Sequence, residues 1–600
     1  MEGNNNWKYL IKEETVSGLT TLLLDIKNNH NQDELIEKIK DLETQISKLQ
    51  KTKKYWLVWE MEKEPEQIVL DCQRKLPILK EVKDKFLKSD ESWKANILIE
   101  WDNFHALQVL NYTHKESIDL IYIDPPYNTW NANEWKYNDK YIDDNDTYRH
   151  SKWLNFMSKR LTLSKELLKE NWLIFISIDD NEQAQLKLLC DEIFWSDNFI
   201  ANIIWQSKTW SSDAKGIDTI TEYILVYAKN KLLPEFTKNA DWYDKKRYKL
   251  RDEYFSERWP YYLDNLDRWW LRYHDSLNYA ISIPDWSSIF PNWRSEFLND
   301  GWTWKWWRQK VKWWLENGYI IFKKSKSKNN WWWVYYKNYL YSDNEGNLLE
   351  RWTPHKNVIS NLKTWDGASS IKNIFWFHVF KYSKPTELIK YFIKSVNLPK
   401  DAIILDYFAW SWTTWHSVLE LNKEYWLDLK FIICTNNEWN ICEEVTFERI
   451  KKVSKGYSND KWAKTEWLGW NLKYYKTDFV EVENVQLIDD KQKLELTYKA
   501  WEVIAIKEWT YHEISKTPYF QFFENNKKLV WIYFIESSKW MDQFKNTLKQ
   551  LSKSKNESVI YIFSYSEPEY SCKDFNVPNL RIEWIPEPIL KIYKELNKKI

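Results

Sequence analysis

A short segment around residue 124 carries the residue types that could bind an aromatic amine. An apolar run over residues 118–123 predicts a buried strand. Asp124, Pro125, Pro126 and Tyr127 follow it directly, and the prolines end the strand because they have no N–H for a ladder. Open α/β sheets bind ligands at the carboxyl ends of their strands. A carboxylate, carbonyl acceptors and a ring that can stack suit a flat molecule with an exocyclic amine, such as a nucleobase.

The same four residues resemble the catalytic signature of the amino-group DNA methyltransferases, and Asn128 and Thr129 extend the resemblance. It implies that the Asp124 side chain and the following carbonyl hold the target amine, while Tyr127 stacks on a base flipped out of the duplex. The chemistry agrees, because an aromatic amine is a poor nucleophile that acceptors on its hydrogens and close positioning would activate. Base flipping costs roughly a few kcal/mol, which stacking partly offsets.

A second motif resembles the loop that binds the methyl donor in the same family. Residues 403–415 indicate a strand, an aspartate and a small-residue loop that opens a helix, as in other ligand-binding α/β folds. The family pattern is Asp-x-Phe-x-Gly-x-Gly, and this chain has Trp at both glycine positions. The resemblance implies an S-adenosyl-L-methionine site formed by Asp406, Phe408, Ala409, Trp410, Ser411, Trp412 and Thr413.

Further residues are assigned to the cofactor. By resemblance, Lys384 belongs to a segment that helps to hold its methionine part, and Asp102 lies near its adenine. Glu438, which follows the apolar run 431–434, is a candidate for the ribose hydroxyls. The alternative is an ordinary solvated glutamate at the end of a strand. The spacing of the 5 cysteines indicates neither a metal site nor a disulfide framework.

Tryptophan is unexpectedly abundant, with 43 Trp against 9 Gly, whereas Gly usually makes up about 7% of a chain. Several Trp stand where glycine is expected, as in the turn-like pairs Asp285-Trp286 and Asn292-Trp293 and the run of Trp at 331–333, which resembles a Gly-Gly-Gly loop. We infer that the gene uses UGA for glycine and that this codon is translated here as Trp. Other Trp stand where the family tolerates an aromatic residue, namely Trp153, Trp205, Trp302 and Trp304.

This inference bears directly on function. A Trp at position 410 or 412 would fill volume that the bound cofactor needs, and it disfavours the positive φ that such loops use. The literal polypeptide is therefore expected not to bind the cofactor, whereas the form with glycine at both positions is expected to bind it.

Composition limits the class of protein. The 600 residues carry 87 Lys+Arg and 87 Asp+Glu, and this zero net charge argues against a whole-surface nucleic-acid binder. The polar start and the absence of an 18-residue apolar run predict a cytoplasmic protein without membrane contact. Residues 301–340 nevertheless hold nine Lys/Arg and one Glu. This segment is either a solvated basic loop or a DNA-phosphate contact through Lys323, Lys324, Lys326 and Lys328.

We expect an α/β fold with a doubly wound mixed sheet of the S-adenosylmethionine-dependent methyltransferase type. Helical periodicity over residues 35–49 predicts a helical start, and alternation over 494–507 predicts a strand. The expected domains are a helical N-terminal region (1–95), the first methyltransferase half (96–230), an inserted target-recognition region (231–365), the second half with the cofactor loop (366–455) and an α+β C-terminal domain without an assigned role (456–600).

The order of the motifs, with the amine-binding signature first and the cofactor loop last, matches the permuted class called β. The segments 150–156 and 176–182 further resemble the modification subunit of type III restriction–modification systems. The resemblance implies an adenine-N6-specific DNA methyltransferase that acts on double-stranded DNA. A second copy of the chain and a separate restriction subunit are candidate partners.

Two alternatives stay open at this point. The first is an N4-cytosine methyltransferase on the same scaffold, although Asp rather than Ser before Pro-Pro favours adenine in this family. The second is a catalytically inactive DNA-binding module, which would follow if Trp410 and Trp412 are real.

Overall fold

The structure of the protein is a computed structural model that describes most of the chain from residue 67 onward. The helix expected over 35–49 and two residues of the cofactor loop, Ser411 and Trp412, lie outside the described residues. The described residues are 67–88, 95–129, 149–210, 216–239, 245–269, 273–285, 287–324, 332–343, 345–377, 383–410, 413–458, 464–534, 538–551, 557–564, 572–575, 577 and 579–599.

The bounds of the regular elements follow in chain order. The strands are β1 (Lys75–Glu81), β2 (Ala95–Glu100), β3 (Ile118–Ile123), β4 (Leu168–Ile178), β5 (Phe199–Gln206), β6 (Thr221–Ala228), β7 (Tyr261–Asn265), β8 (Asp267–Trp269), β9 (Ile281–Ser282), β10 (Ser288–Ile289), β11 (Trp302–Trp304), β12 (Ile320–Lys324), β13 (Trp332–Tyr339), β14 (Val358–Ile359), β15 (Ile403–Asp406), β16 (Lys430–Thr435), β17 (Tyr457–Ser458), β18 (Lys464–Thr465), β19 (Asn471–Glu481), β20 (His512–Lys516), β21 (Phe520–Glu524), β22 (Lys528–Tyr533), β23 (Glu557–Phe563) and β24 (Leu580–Ile585). The α-helices are α1 (Gln67–Asp71), α2 (Asn103–Thr113), α3 (Arg149–Leu167), α4 (Gln183–Cys190), α5 (Phe255–Arg258), α6 (Arg308–Glu316), α7 (Thr364–Phe375), α8 (Thr386–Ser395), α9 (Thr413–Tyr425), α10 (Glu448–Lys455), α11 (Asp490–Lys499), α12 (Trp501–Lys507), α13 (Ser538–Leu551) and α14 (Glu587–Lys599).

One ten-stranded mixed sheet forms the centre of the described residues, with the order β1-β19-β2-β16-β15-β3-β4-β6-β5-β14. The strands from β19 to β4 in this order run parallel to one another, whereas β1 is antiparallel to β19 and β6 is antiparallel to β4 and β5. β2, β3 and β15 are buried along their whole lengths, as expected for parallel strands covered on both faces. The α/β class with a mixed sheet, expected from the sequence, is confirmed.

The sheet interleaves the two halves that the sequence separates. β15 of the second half pairs with β3 of the first, with Leu405 opposite Ile121. The carboxyl ends of both strands therefore share one edge of the sheet. Because β6 is antiparallel to β4, with Tyr223 opposite Ile178, the amino end of β6 reaches the same edge.

Residues between the halves build a separate core. β12, β13 and β7 form a three-stranded sheet, and β11–β8 and β10–β9 form two-stranded sheets. The aromatic side chains of Trp304, Trp314 and Tyr336 are buried in this core. β14, however, pairs with β5 and belongs to the large sheet. The expected inserted region therefore contributes one short strand to the methyltransferase sheet.

The C-terminal segment is divided between two sheets. β19 joins the large sheet between β1 and β2, whereas β20 to β24 form their own five-stranded sheet. Buried residues of this second sheet, such as Trp531 and Ile560, pack with Phe544 of α13. The α+β character expected for residues 456–600 is therefore present, with one strand given to the neighbouring sheet.

Two local expectations are wrong. The sequence predicts a helical region over residues 1–95, but Lys75–Glu81 within it is a strand paired with β19; Pro77 in this strand opposes a helix. The alternation over 494–507 predicts a strand, but α11 and α12 occupy it. The cause lies upstream, where Asp489 and Gln492 form a capping box that starts α11.

Candidate functional site

The turn after β3 is held from α3. Trp153 is fully buried, and its indole N–H donates to the Pro126 carbonyl at 2.8 Å. The Tyr127 hydroxyl turns back towards the strand end and donates to Asp124 Oδ1 at 2.9 Å. The structure therefore holds the predicted catalytic residues in one turn at the edge of the sheet, with the two prolines buried and Asp124 and Tyr127 partly exposed.

The backbone beyond Tyr127 is fixed by a buried carboxylate. Asn128 has a φ of 55°, and its amide donates to Glu182 Oε1 at 2.6 Å. The Nδ1 atom of His150 lies 2.7 Å from the same oxygen, and Arg149 donates to the Asn128 carbonyl at 3.3 Å. These contacts hold the residue after Tyr127 and connect the turn to the segments 150–156 and 176–182 through His150 and Glu182.

Two residues from elsewhere in the chain complete the turn. The Lys384 ammonium donates to Tyr127 Oη at 2.7 Å and forms ion pairs with Asp124 Oδ1 at 3.0 Å and Glu222 Oε2 at 3.2 Å. Glu222 Oε2 lies 3.2 Å from Tyr127 Oη and is the alternative acceptor for its single proton. Sequence reasoning missed Glu222 altogether. The available signal was a lone carboxylate beside the apolar run that becomes β6.

Burial governs the electrostatics of this group. Loss of hydration raises the pKa of Asp124, and Lys384 opposes that rise. Burial also raises the pKa of Tyr127 well above its ordinary value, so its hydroxyl stays neutral. For Lys384, burial alone would lower the pKa, but the carboxylates of Asp124 and Glu222 outweigh it and raise the pKa above its ordinary value. The ammonium is therefore charged at neutral pH.

The aspartate of the cofactor motif organises its own loop. Asp406 Oδ1 accepts from the Phe408 amide at 3.0 Å, and Oδ2 accepts from the Thr414 hydroxyl at 2.5 Å. Burial raises the pKa of Asp406 to about 7. The Thr413 hydroxyl donates to the Lys384 carbonyl at 2.9 Å. The Lys384 segment thus contacts the cofactor loop through its backbone and the Asp124 turn through its side chain.

Trp410 bridges the loop and the catalytic turn. Its φ is 35°, its ring stacks near Phe408 with 6.5 Å between centroids, and its indole N–H donates to the Asp124 carbonyl. The indole therefore occupies the space between the cofactor loop and the Asp124 carbonyl. Glycine at 410 would remove this ring and relieve the positive φ, so we expect the loop to accept the cofactor in that form.

The other assigned cofactor residues lie at neighbouring strand ends. Asp102 caps α2 by accepting from the Phe104 amide at 2.8 Å, and it pairs with the buried Arg160 at 3.1 Å. Glu438 is exposed just beyond β16, and the Asp102 carboxylate contributes, after desolvation, to raising its pKa. The Asp102 and Glu438 carboxylates are therefore near each other. Their assignments to the adenine and the ribose of the cofactor stay predictions. Ala409 is buried within the loop.

Backbone angles mark one group of tryptophans, and burial with an indole hydrogen bond marks another. Many Trp have a positive φ, which is an outlier for a bulky residue; they are Trp195, Trp259, Trp293, Trp376, Trp410, Trp426 and Trp509. Asn292 and Trp293 have φ values of 59° and 55°, as in turns that prefer Asn-Gly. By contrast, Trp153, Trp205 and Trp304 are buried and their indoles donate to carbonyls at 2.8, 2.8 and 2.7 Å. This contrast supports glycine at the first group and true tryptophan at the second.

The prediction of a glycine loop at residues 331–333 is wrong in part. Trp332 and Trp333 lie in β13 and pair with Lys324 and Lys323 of β12, while Trp331 and Trp286 lie outside the described residues.

The basic residues of the inserted region are not part of the catalytic turn. Lys323 and Lys324 are exposed on β12, and Lys326 and Lys328 lie outside the described residues. The Lys324 ammonium lies 5.0 Å from the centroid of the Trp332 ring. Their contact with DNA therefore stays a prediction.

The comparisons agree with this geometry. The DNA methylase family model matches residues 118–449, more than half of the chain, so the chain belongs to the DNA methylase family. It is 32% identical over 397 residues to the type III restriction-modification enzyme StyLTI Mod subunit of Salmonella typhimurium, covering 60% of this chain and 57% of that one. It is 30% identical over 406 residues to the type II methyltransferase M.KpnI of Klebsiella pneumoniae, covering 64% and 93%. For the EcoP15I Mod subunit of Escherichia coli, identity is 28% over 487 residues, covering 71% and 72%.

The chain thus spans just over half the length of the Salmonella subunit. The expected resemblance to type III modification subunits is confirmed by these relatives. Among the described residues, no helix is long and apolar enough to cross a membrane, and no group of three or more His, Cys, Asp or Glu residues there could hold a metal ion.

Proposed function

We propose that this protein transfers a methyl group from S-adenosyl-L-methionine to N6 of adenine in double-stranded DNA, as the modification subunit of a restriction–modification system. The observation that carries the proposal is the placement of the Asp124–Tyr127 turn and the Asp406 loop at the ends of adjacent strands, β3 and β15. The names of the similar proteins, Mod subunits and a methyltransferase, support the same activity.

In this proposal the chain's own residues bind and orient the target. The Asp124 carboxylate and the carbonyl that follows it accept the two amine hydrogens, which leaves the nitrogen lone pair directed at the methyl group. The Tyr127 ring stacks on the flipped base. Bound S-adenosyl-L-methionine supplies the electrophilic methyl group, and Asp406, Asp102, Glu438 and the backbone of the Lys384 segment are proposed to hold it.

The remaining assignments follow the same pattern. Asp at position 124, where the N4-cytosine enzymes favour Ser, supports adenine as the target base. The core between the two halves is assigned to DNA recognition because its residues lie between the two motifs in the sequence. A restriction subunit and a second copy of the chain are the proposed partners, and the cytoplasm is the proposed compartment.

The proposed function is tested with protein that carries glycine at positions 410 and 412. It is incubated with tritiated S-adenosyl-L-methionine and plasmid DNA of mixed sequence from a strain without DNA methylation. We expect label to be incorporated into DNA and not into RNA or added protein. Label in RNA or protein alone, or in no acceptor, would contradict the proposal.

Neutralising Lys323, Lys324, Lys326 and Lys328 together is expected to weaken DNA binding for all sequences alike. Lysines bound to phosphates release counterions, so the slope of log affinity against log salt should become shallower by up to about 0.9 for each phosphate no longer neutralised. Titration of labelled duplex at several salt concentrations measures both quantities. Lys231 and Lys249, exposed lysines of the same region, provide the matched control pair. Unchanged affinity and slope would show that these lysines are solvated surface residues without a DNA contact.

A further inference from the structure

The ammonium of Lys384 is shared by two carboxylates. It lies 3.0 Å from Asp124 Oδ1, 3.2 Å from Glu222 Oε2 and 2.7 Å from Tyr127 Oη. An ammonium has three N–H donors, and this geometry uses one for each partner. Because the Lys384 side chain is only 9% exposed, water can do little to replace a missing partner.

The interaction between Lys384 and Asp124 competes with the target amine. Both groups are donors, and both need the same carboxylate. A lysine that stayed paired with Asp124 would also place a positive charge beside the nitrogen that becomes positive as it is methylated, which opposes the reaction. Binding of the target base therefore requires the ammonium to move away from Asp124. Glu222 is the other carboxylate already within reach.

We propose that Glu222 is a positioning residue that takes over the Lys384 ammonium when the target amine binds to Asp124. The inference rests on the proposed function and assigns a role to a residue that the sequence motifs leave out. Two carboxylates share one ammonium here, so the group keeps one surplus negative charge. A buried ammonium without a partner is costly. By pairing with Lys384, Glu222 leaves the negative charge of Asp124 available to the target amine.

The fold holds Glu222 in the required place. It pairs across the sheet with Trp205 of β5, whose buried indole is anchored to the Leu362 carbonyl at 2.8 Å. The Trp205 ring centroid lies 5.7 Å from the Lys384 ammonium. Lys384 can therefore exchange carboxylates by rotation of its own flexible stem, while Glu222 and the ring beside it stay fixed on paired strands.

The test compares Glu222→Gln with Glu222→Asp in the glycine-restored protein. Glutamine keeps the shape and the acceptor oxygen but loses the charge, whereas aspartate keeps the charge on a shorter side chain. We expect Glu222→Gln to lower kcat about 10- to 100-fold, with KM for S-adenosyl-L-methionine changed less than about twofold. Glu222→Asp should retain more activity than Glu222→Gln. A purely structural hydrogen bond would give the opposite order.

A base-flipping readout and a control complete the design. DNA with 2-aminopurine next to the target adenine, which keeps its own 6-amine, should show a smaller fluorescence rise with Glu222→Gln than with the parent. Glu170→Gln removes another Lys partner on β4, 3.1 Å from Lys229, and should leave both readouts unchanged. Parent-like kcat and fluorescence in a folded Glu222→Gln protein would overturn the inference while the proposed function stands. A parent that transfers no methyl group to DNA would overturn both.

Discussion

Replacing Asp124 with alanine is expected to abolish methyl transfer, lowering turnover by at least about a hundredfold, while cofactor binding stays nearly unchanged. The carboxylate faces the Tyr127 hydroxyl and the Lys384 ammonium, at 2.9 and 3.0 Å, rather than the cofactor loop. Lys384 keeps Glu222 as a partner at 3.2 Å, so the variant does not leave an unpaired buried charge. Turnover on DNA and calorimetric titration with S-adenosyl-L-methionine measure the two effects separately.

A matched control comes from the neighbouring strand. Asp180 follows β4 at the same edge and accepts from the Tyr223 hydroxyl at 2.8 Å, so Asp180→Ala should keep turnover close to that of the parent. Tyr127→Ala should lose about 1–3 kcal/mol of base stacking. Near-normal turnover in Asp124→Ala would show that the carboxylate does not hold the target amine.

Replacing Trp410 and Trp412 with glycine is expected to convert a protein that does not bind S-adenosyl-L-methionine into one that does. The indole of Trp410 now occupies the gap beside the Asp124 carbonyl, and its φ of 35° is strained for a bulky residue, at a cost of about 1–3 kcal/mol. Glycine removes both the strain and the obstructing ring. Calorimetric titration of the two forms measures the difference directly.

The control for this second change is Trp426→Gly. Trp426 also has a positive φ, 55°, but it is 91% exposed and lies at the far end of α9 from the cofactor loop. Its replacement should relieve backbone strain and raise thermal stability without restoring cofactor binding. If the Trp410 and Trp412 form bound the cofactor as tightly as the glycine form, the loop would not be the cofactor site.

The parts of the site that follow from the sequence are those encoded locally. Asp124 and Asp406 each end an apolar run, so a strand end and the groups beside it can be predicted without the fold. Phe408 and Thr413 follow for the same reason. The positive φ values at Trp293 and Trp410 agree with a glycine interpretation that rests, in the sequence, only on residue counts and turn contexts.

The parts that do not follow depend on interactions between distant segments. Glu222 reaches the site because β6 is antiparallel to β4, and no pattern near residue 222 reveals that direction. The sequence assigns Lys384 to the cofactor from its segment, but its side chain contacts Asp124 and Tyr127. A short alternation of apolar residues predicts a strand where the helix Asp490–Lys499 forms. The helix forms because its capping box outweighs the alternation.

The most direct test of the account is to identify the methylated nucleoside. DNA treated with the glycine-restored protein and S-adenosyl-L-methionine is digested to nucleosides and analysed by liquid chromatography with mass spectrometry. We expect N6-methyladenine with the parent protein and none with Asp124→Ala. N4-methylcytosine as the only product would contradict the adenine assignment, and the absence of any methylated nucleoside would contradict the proposed activity itself.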